Sequence, residues 1–214
     1  MTSRHDDLKK IEAALRAAAR EVSVFTPGSI EVELKAGGDP VTAADNAIND
    51  VLLEILPEPG EGWLSEETVD DPIRLGKERA WIVDPLDGTR EFIQGIPEWC
   101  ISIGLVENGR AVAGGILNPS TSELVLGSIE TGVTLNGEPV KAIQRTSLEG
   151  AVVLASRSEV KRGEWERFQN RDFTVVPMGS VAYKLARVAA GLSEVTWTLV
   201  PKNEWDLSDV SLWV

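Results

Sequence analysis

Apolar side chains recur along this chain at two spacings, one helical and one alternating, and the order of the segments predicts the layout. Leu8, Ile11, Leu15, Ala18 and Val22 fall on one helical face, which predicts a first helix from Asp6 to about Val24. Ile30 to Leu34 alternates and predicts a strand, and the glycine-rich stretch from Lys35 to Pro40 reads as a loop. A second helix opens at Val41 to Asp45, with Ile48, Val51, Leu52 and Ile55 as its apolar stripe. Thr42 and Asp45, three residues apart, have the pattern of a capping box, so Asp45 reads either as a cap or as a first-turn carboxylate aimed at a site. Pro57 to Gly62 is a turn, Gly62 to Ser65 a short strand ended by Glu66-Glu67, and Asp70 to Arg79 a loop or brief helix.

Trp81-Ile82-Val83 is a short β-branched apolar run and predicts a buried strand. Asp84 and Asp87 follow across a predicted turn stiffened by Pro85, and Gly88-Thr89 opens a helix through Ile93. Strands are predicted over Trp99 to Val106, Ala111 to Leu117 and Glu123 to Gly127, with a further hairpin at Asn136-Gly137. This middle region predicts an antiparallel or mixed sheet flanked by the two N-terminal helices.

Composition shifts slightly between Thr146 and Gly150, which divides the chain into 1–146 and a smaller unit, 147–214. The smaller unit reads as strand 151–155, helix 158–168, strand 173–176, helix 181–190 with small residues on one side, and strand 195–199. Trp205-Asp206 then ends a loop and can start a helix. Such alternation predicts an α/β subdomain.

Length and composition restrict the chemistry. With 214 residues, 43% apolar and 26% charged, the chain fits a soluble globular α/β protein. A net charge of −13 argues against nucleic-acid polymers and anionic membranes as partners. A small anionic substrate stays compatible with it, because bound cations invert the local potential. The polar start of the chain predicts no signal peptide, no apolar run reaches membrane-spanning length, and the cytoplasm is the expected location. The single cysteine, Cys100, lies in an apolar run and is expected in the core. The single histidine is His5, which leaves no usable partner for serine–histidine or cysteine–histidine catalysis.

Any hydrolysis must then rest on carboxylates, hydroxyls and metal ions. Asp45, Glu66, Asp84, Asp87 and Asp206 all occupy strand ends or helix starts, where an α/β fold assembles a site. Adjacent acidic residues such as Glu66-Glu67 are usually solvated, but at a strand end they can converge with Asp84. Five carboxylates cannot stay ionised together without two or three divalent cations between them. Mg²⁺ suits such oxygen ligands, and the amides at the start of the helix after Gly88 suit a phosphate.

In sequence order, Asp39-Pro40-Val41-Thr42-Ala43-Ala44-Asp45, Trp63-Leu64-Ser65-Glu66-Glu67-Thr68, Trp81 to Thr89, Gly179-Ser180 and Trp205-Asp206 resemble the motifs of one superfamily. It is the inositol monophosphatase and bisphosphate-nucleotidase superfamily of Mg²⁺-dependent, lithium-sensitive phosphatases. The resemblance covers nearly the whole chain and implies a five-layer αβαβα sugar-phosphatase fold, often dimeric. It also implies roles. Glu66, Asp84 and the Leu86 carbonyl would hold one Mg²⁺, Asp84, Asp87 and Asp206 a second, and Asp45 with Glu66 a weaker third. Thr89 and Glu66 would orient the attacking water, and the Gly88 and Thr89 amides would hold the phosphate.

Arg90-Glu91-Phe92, Gly179-Ser180 with Lys184, and Ser156-Arg157-Ser158 resemble bacterial sulfate-assimilation bisphosphate nucleotidases, with Arg157 and Lys184 as grips for a second phosphate. Arg157 and Lys184 each read equally as a surface charge or a member of a salt bridge. Glu159 stands where that pattern has a histidine. The expected reaction is removal of the 3′-phosphate of 3′-phosphoadenosine 5′-phosphate (PAP), with inositol or sugar phosphates, including fructose 1,6-bisphosphate, as the alternative. The family pattern continues beyond Asp206 through another helix and strand, whereas residues 207–214 depart from it. A shortened, weakly active form or a non-catalytic partner is therefore a further reading, and such a partner would not bind Mg²⁺.

Overall fold

Ser3 starts the first helix by accepting a hydrogen bond from the Asp6 amide, so α1 runs Arg4–Val22, two residues ahead of the predicted span at each end. The structure is a computed structural model and describes residues 3–35 and 38–207. The second helix, α2 (Ala43–Ile55), has the capping box that the sequence pattern predicts: Thr42 accepts from the helix backbone and Asp45 accepts from the Thr42 amide.

Both helices bury their apolar stripes on one face of a seven-stranded sheet. Its strands are β3 (Gly62–Ser65), β4 (Arg79–Asp87), β5 (Cys100–Glu107), β6 (Arg110–Asn118), β7 (Glu123–Ser128), β8 (Gly132–Leu135) and β9 (Glu138–Val140), side by side in chain order. Only the β3–β4 pair is parallel, so the sheet is mixed. Ile11, Leu15, Ile48 and Leu52 meet Trp81, Val83, Ile101 and Ile103 in its main core. Arg79 at the start of β4 binds Asp7, Glu61 and Glu107, tying α1 to the sheet. The stretch Lys35–Pro40 is the link of a small antiparallel ribbon of β1 (Val32–Leu34) and β2 (Pro40–Thr42), and residues 36 and 37 within it lie outside the described residues.

Strand β4 differs from the expected turn. It continues through Asp84, Pro85 and Leu86 to Asp87, and three steps along it there face only two along β5. That extra residue is a bulge, where a proline without an N–H is tolerated and the ladder bends. The short helix α3 (Thr89–Ile93) follows.

The second, three-stranded sheet is parallel, with β10 (Ala151–Ser156) between β11 (Phe173–Met178) and β12 (Val195–Thr196). Helix α5 (Val181–Ala189) lies between the two sheets. Its Ala182, Tyr183 and Ala186 pack on Cys100, Ile116 and Val125 of the large sheet, and the alanines let it approach closely. Helix α4 (Arg157–Lys161) and a 3₁₀ turn at Glu166–Phe168 cover the outer face of the small sheet around Val153, Ala155 and Trp165. The layers are thus α1 and α2, large sheet, α5, small sheet, α4: the αβαβα sandwich that the resemblance implied.

Two segments are shorter than predicted. The helix expected over 158–168 stops at Lys161, because Gly163 takes φ +76° and reverses the chain. The strand expected over 195–199 pairs only through Thr196, since Thr198 and the Leu199 amide both turn to donate to the Glu159 carboxylate. The start of a helix after Trp205-Asp206 is a turn as far as Leu207, and the rest of that segment, 208–214, lies outside the described residues. Among the described residues no helix is long and apolar enough to cross a membrane.

Gly115 on β6 sits tightly under its neighbours: a Cβ there would lie 2.4 Å from Leu126 Cδ2 on β7 and 3.2 Å from Ile11 Cγ2 on α1. Gly115→Val is expected to destabilise the fold by about 2 kcal/mol or more through overpacking, read as a lower urea midpoint.

Candidate active site

The bulge at the end of β4 turns two buried carboxylates to the same side. Asp84 Oδ1 accepts from the Leu86 amide at 3.1 Å, which fixes the bend. Asp87 Oδ2 accepts from Ser180 Oγ and from the Ala182 amide, each at 2.6 Å, so its charge sits against the N-terminus of α5. Ser180 Oγ in turn accepts from the Tyr183 amide and caps that helix. Asp206 arrives from the turn after β12 and is held by the Asn203 amide at 2.8 Å. One oxygen from each of Asp84, Asp87 and Asp206 lies within 4.8 Å of the others.

These carboxylates are in electrostatic conflict. Burial first, and then the charges of Glu66, Asp87 and Asp206, push the Asp84 carboxyl well above its ordinary range. Burial also raises Asp87, against the opposing pull of Ser180 and Lys184. Burial and Asp87 push Asp206 up to about 6. A divalent cation among these hard oxygens would remove the conflict, so the residues present fit Mg²⁺.

A cleft of about 260 Å³ opens over the three aspartates, and every predicted site residue except Asp45 lines it: Glu66, Leu86, Gly88, Thr89, Arg157, Gly179, Ser180 and Lys184 as well as Asp84, Asp87 and Asp206. Asp45 lies beneath, fully buried. Its Oδ2 accepts from the Thr42 amide and hydroxyl, and its Oδ1 accepts from Thr89 Oγ1 at 3.1 Å. It is therefore both the helix cap and the support of Thr89, whose hydroxyl also lies 3.1 Å from the Leu86 carbonyl oxygen. Gly88 has φ +103°, and a Cβ there would stand 2.9 Å from the Glu98 carbonyl, so glycine is required. At Gly179 a Cβ would stand 2.3 Å from the Glu91 side chain, which would have to shift to admit it.

Several contacts escaped the sequence reading. Lys35 bridges Glu66 and Glu67 at 2.8 and 2.7 Å. Arg157 donates to Glu98 and lies 3.7 Å from Glu91, so it is engaged in an ion pair. Lys184 is buried and its Nζ donates to the Ser180 carbonyl. Glu159 accepts from Trp165 Nε1, Thr198 Oγ1 and the Leu199 amide, a structural post beneath the small sheet's outer cluster. Lys202 and Asn203 also line the cleft. The Lys35–Glu66, Arg157–Glu98 and Glu159–Leu199 contacts join segments far apart in the chain, so no spacing rule marks them.

A sequence model described as the inositol monophosphatase family matches residues 5–208. The inositol-1-monophosphatase of Mesorhizobium japonicum is 33% identical over 189 residues, covering 84% of this chain and 70% of that protein. The fructose-1,6-bisphosphatase/inositol-1-monophosphatase of Thermotoga maritima is 31% identical over 183 residues, covering 83% and 69%. Among solved structures, the extragenic suppressor protein suhB from Bartonella henselae superposes with a TM-score of 0.86 at 28% identity, covering 98% of this chain and 84% of that one. A Thermotoga maritima IMPase superposes with a TM-score of 0.83 at 29% identity, covering 97% and 82%.

The carboxylate conflict has a measurable consequence. A carboxyl whose folded pKa lies above its unfolded value destabilises the fold once ionised; the penalty is full above the folded pKa and vanishes below the unfolded one. In EDTA near pH ~7, Asp84→Asn is therefore expected to melt a few degrees above the unsubstituted chain. The difference should shrink as pH falls through about 6, where Asp206 takes up a proton, toward the ordinary value of 3.8. Mg²⁺ should raise the melting temperature of the unsubstituted chain and leave Asp84→Asn nearly unmoved. A variant that melts lower than the unsubstituted chain in EDTA would refute the conflict.

Proposed function

The chain belongs to the inositol monophosphatase family, and from that premise we propose that it hydrolyses the phosphate monoester of an inositol or sugar phosphate with the help of Mg²⁺. The observation that carries this reading is the convergence of Asp84, Asp87 and Asp206 at one end of the cleft. Asp84, Asp87 and Asp206 would hold one ion, and Glu66, Asp84 and the Leu86 carbonyl another, with Asp45 and Glu66 beside a weaker third. A bound Mg²⁺ supplies a water of lowered pKa and neutralises charge that develops on the phosphoryl oxygens.

The chain's own groups do the positioning. Asp45 accepts the Thr89 proton, which leaves the Thr89 oxygen free to accept a hydrogen bond from a water in the cleft. That contact aims the water's lone pair toward a phosphorus held at the start of α3. There the Gly88 and Thr89 amides precede the first full helical turn and are placed to donate to phosphate oxygens. Glu66 stands at the same wall as a proton acceptor, with its Oε1 paired to Lys35 at 2.8 Å. The same reading carries a cytoplasmic location and a homodimer.

A second reading, removal of the 3′-phosphate of PAP, is favoured by Arg90-Glu91-Phe92 and by Lys184 on the cleft wall. The engagement of Arg157 with Glu98 and the structural use of Glu159 count against it.

Phosphate release from inositol 1-phosphate, fructose 1,6-bisphosphate and PAP, side by side with Mg²⁺ or EDTA, tests both. Turnover of the inositol or sugar substrates that EDTA abolishes is expected. A clear preference for PAP would install the second reading, and no turnover of any substrate by folded protein would sink both. Thr89→Ala should lower kcat about 100-fold, as the loss of a proton-handling group does, with KM little changed.

A further inference from the structure

Four cationic side chains line the cleft: Arg90, Arg157, Lys184 and Lys202. Three are already engaged. Arg90 pairs with Asp39 at 2.9 Å, Arg157 pairs with Glu98, and Lys184 donates to the Ser180 carbonyl. Lys202 forms no hydrogen bond or ion pair among the described residues, although its charge reaches Asp206, Glu159 and Lys184. It is half-buried, and with Lys184 it stands where the acidic cleft runs into a second, mostly apolar pocket of about 60 Å³ walled by Val181, Leu185, Trp197 and Leu207.

A half-buried lysine beside an apolar wall, with carboxylates in electrostatic range but none in hydrogen-bond contact among the described residues, keeps its ammonium donors available to an anion, and weak solvent screening strengthens its pull on a charge. The rest of the cleft lining includes Glu66, Asp84, Asp87 and Asp206, and the whole chain carries −13, so an anion has few other places to settle. We propose that Lys202 is a specificity residue that receives a second phosphate of the substrate and so selects sugar bisphosphates over monophosphates. This rests on the phosphatase reading for the first phosphate. It also moves the second grip from Arg157, which Glu98 occupies, to a residue in the loop before Asp206. The competing role for Lys202 is to offset the Asp206 charge alone, which would affect every substrate alike.

The test uses two substrates that differ by one phosphate, fructose 1,6-bisphosphate and fructose 1-phosphate. The ratio of their kcat/KM values is expected to fall about tenfold or more in Lys202→Gln, as the loss of one charge-assisted hydrogen bond does, and to recover in Lys202→Arg. An unchanged ratio overturns the proposal, as does an equal loss on both substrates. Binding of the same pair in the presence of Mg²⁺, followed by calorimetry, separates this from the phosphatase reading. Protein that turns over neither sugar, yet prefers the bisphosphate only while Lys202 is present, upholds the anion site and sinks the hydrolysis. Equal binding of both sugars by the unsubstituted chain overturns the anion site.

Discussion

Repulsion among buried carboxylates governs the working end of this molecule. Asp84, Asp87 and Asp206 offer oxygens within 4.8 Å of one another, with Glu66 on the same wall. Without a cation, burial first and then their mutual repulsion hold their protons on. The fold offsets part of that cost locally: two hydrogen bonds and a helix N-terminus face Asp87, and a backbone amide faces each of Asp84 and Asp206. The remainder is a standing demand for cations, and that demand is the chemical capacity of the site.

The layers explain how such a cluster is held. Helix α5 is shared by both sheets, so the Ser180 hydroxyl that caps it can also reach Asp87 on the large sheet. The alanines of α5 make the approach close enough for that bond. One residue thus links helix initiation, the packing of two sheets and the orientation of a carboxylate. Asp45 plays a comparable double part, closing the capping box of α2 while supporting Thr89 at the cleft.

The cleft is lined by both signs of charge, and of its lysines and arginines most are bound to partners. Arg157 and Arg90 are neutralised by Glu98 and Asp39, which leaves the two lysines next to the small apolar pocket as the cationic edge. The curated relatives include proteins named for inositol phosphates and for fructose 1,6-bisphosphate, which differ in the number of phosphates to be held. In this chain the balance of free and paired cations is the feature that bears on that difference.

Much of this was legible in the order of residues. The apolar stripes of α1 and α2, the Thr42–Asp45 cap and the hairpin strands follow from local periodicity and turn chemistry, which need no knowledge of the rest of the chain. Asp84, Asp87 and Gly88-Thr89 were legible as a motif because they stand close together. The continuation of β4 through Pro85 was not, because only pairing with β5 shows that a bulge and not a turn absorbs the proline. The curtailed strand after Thr196 depended on Glu159, a residue nearly forty positions away in the chain, and the states of Arg157 and Lys202 depended on whether an acid from another segment reached them. Sequence by itself determined the elements and the inventory of ligands, since those rest on neighbours along the chain. Tertiary structure alone decided which charges are paired, because pairing depends on distances that folding sets between remote segments.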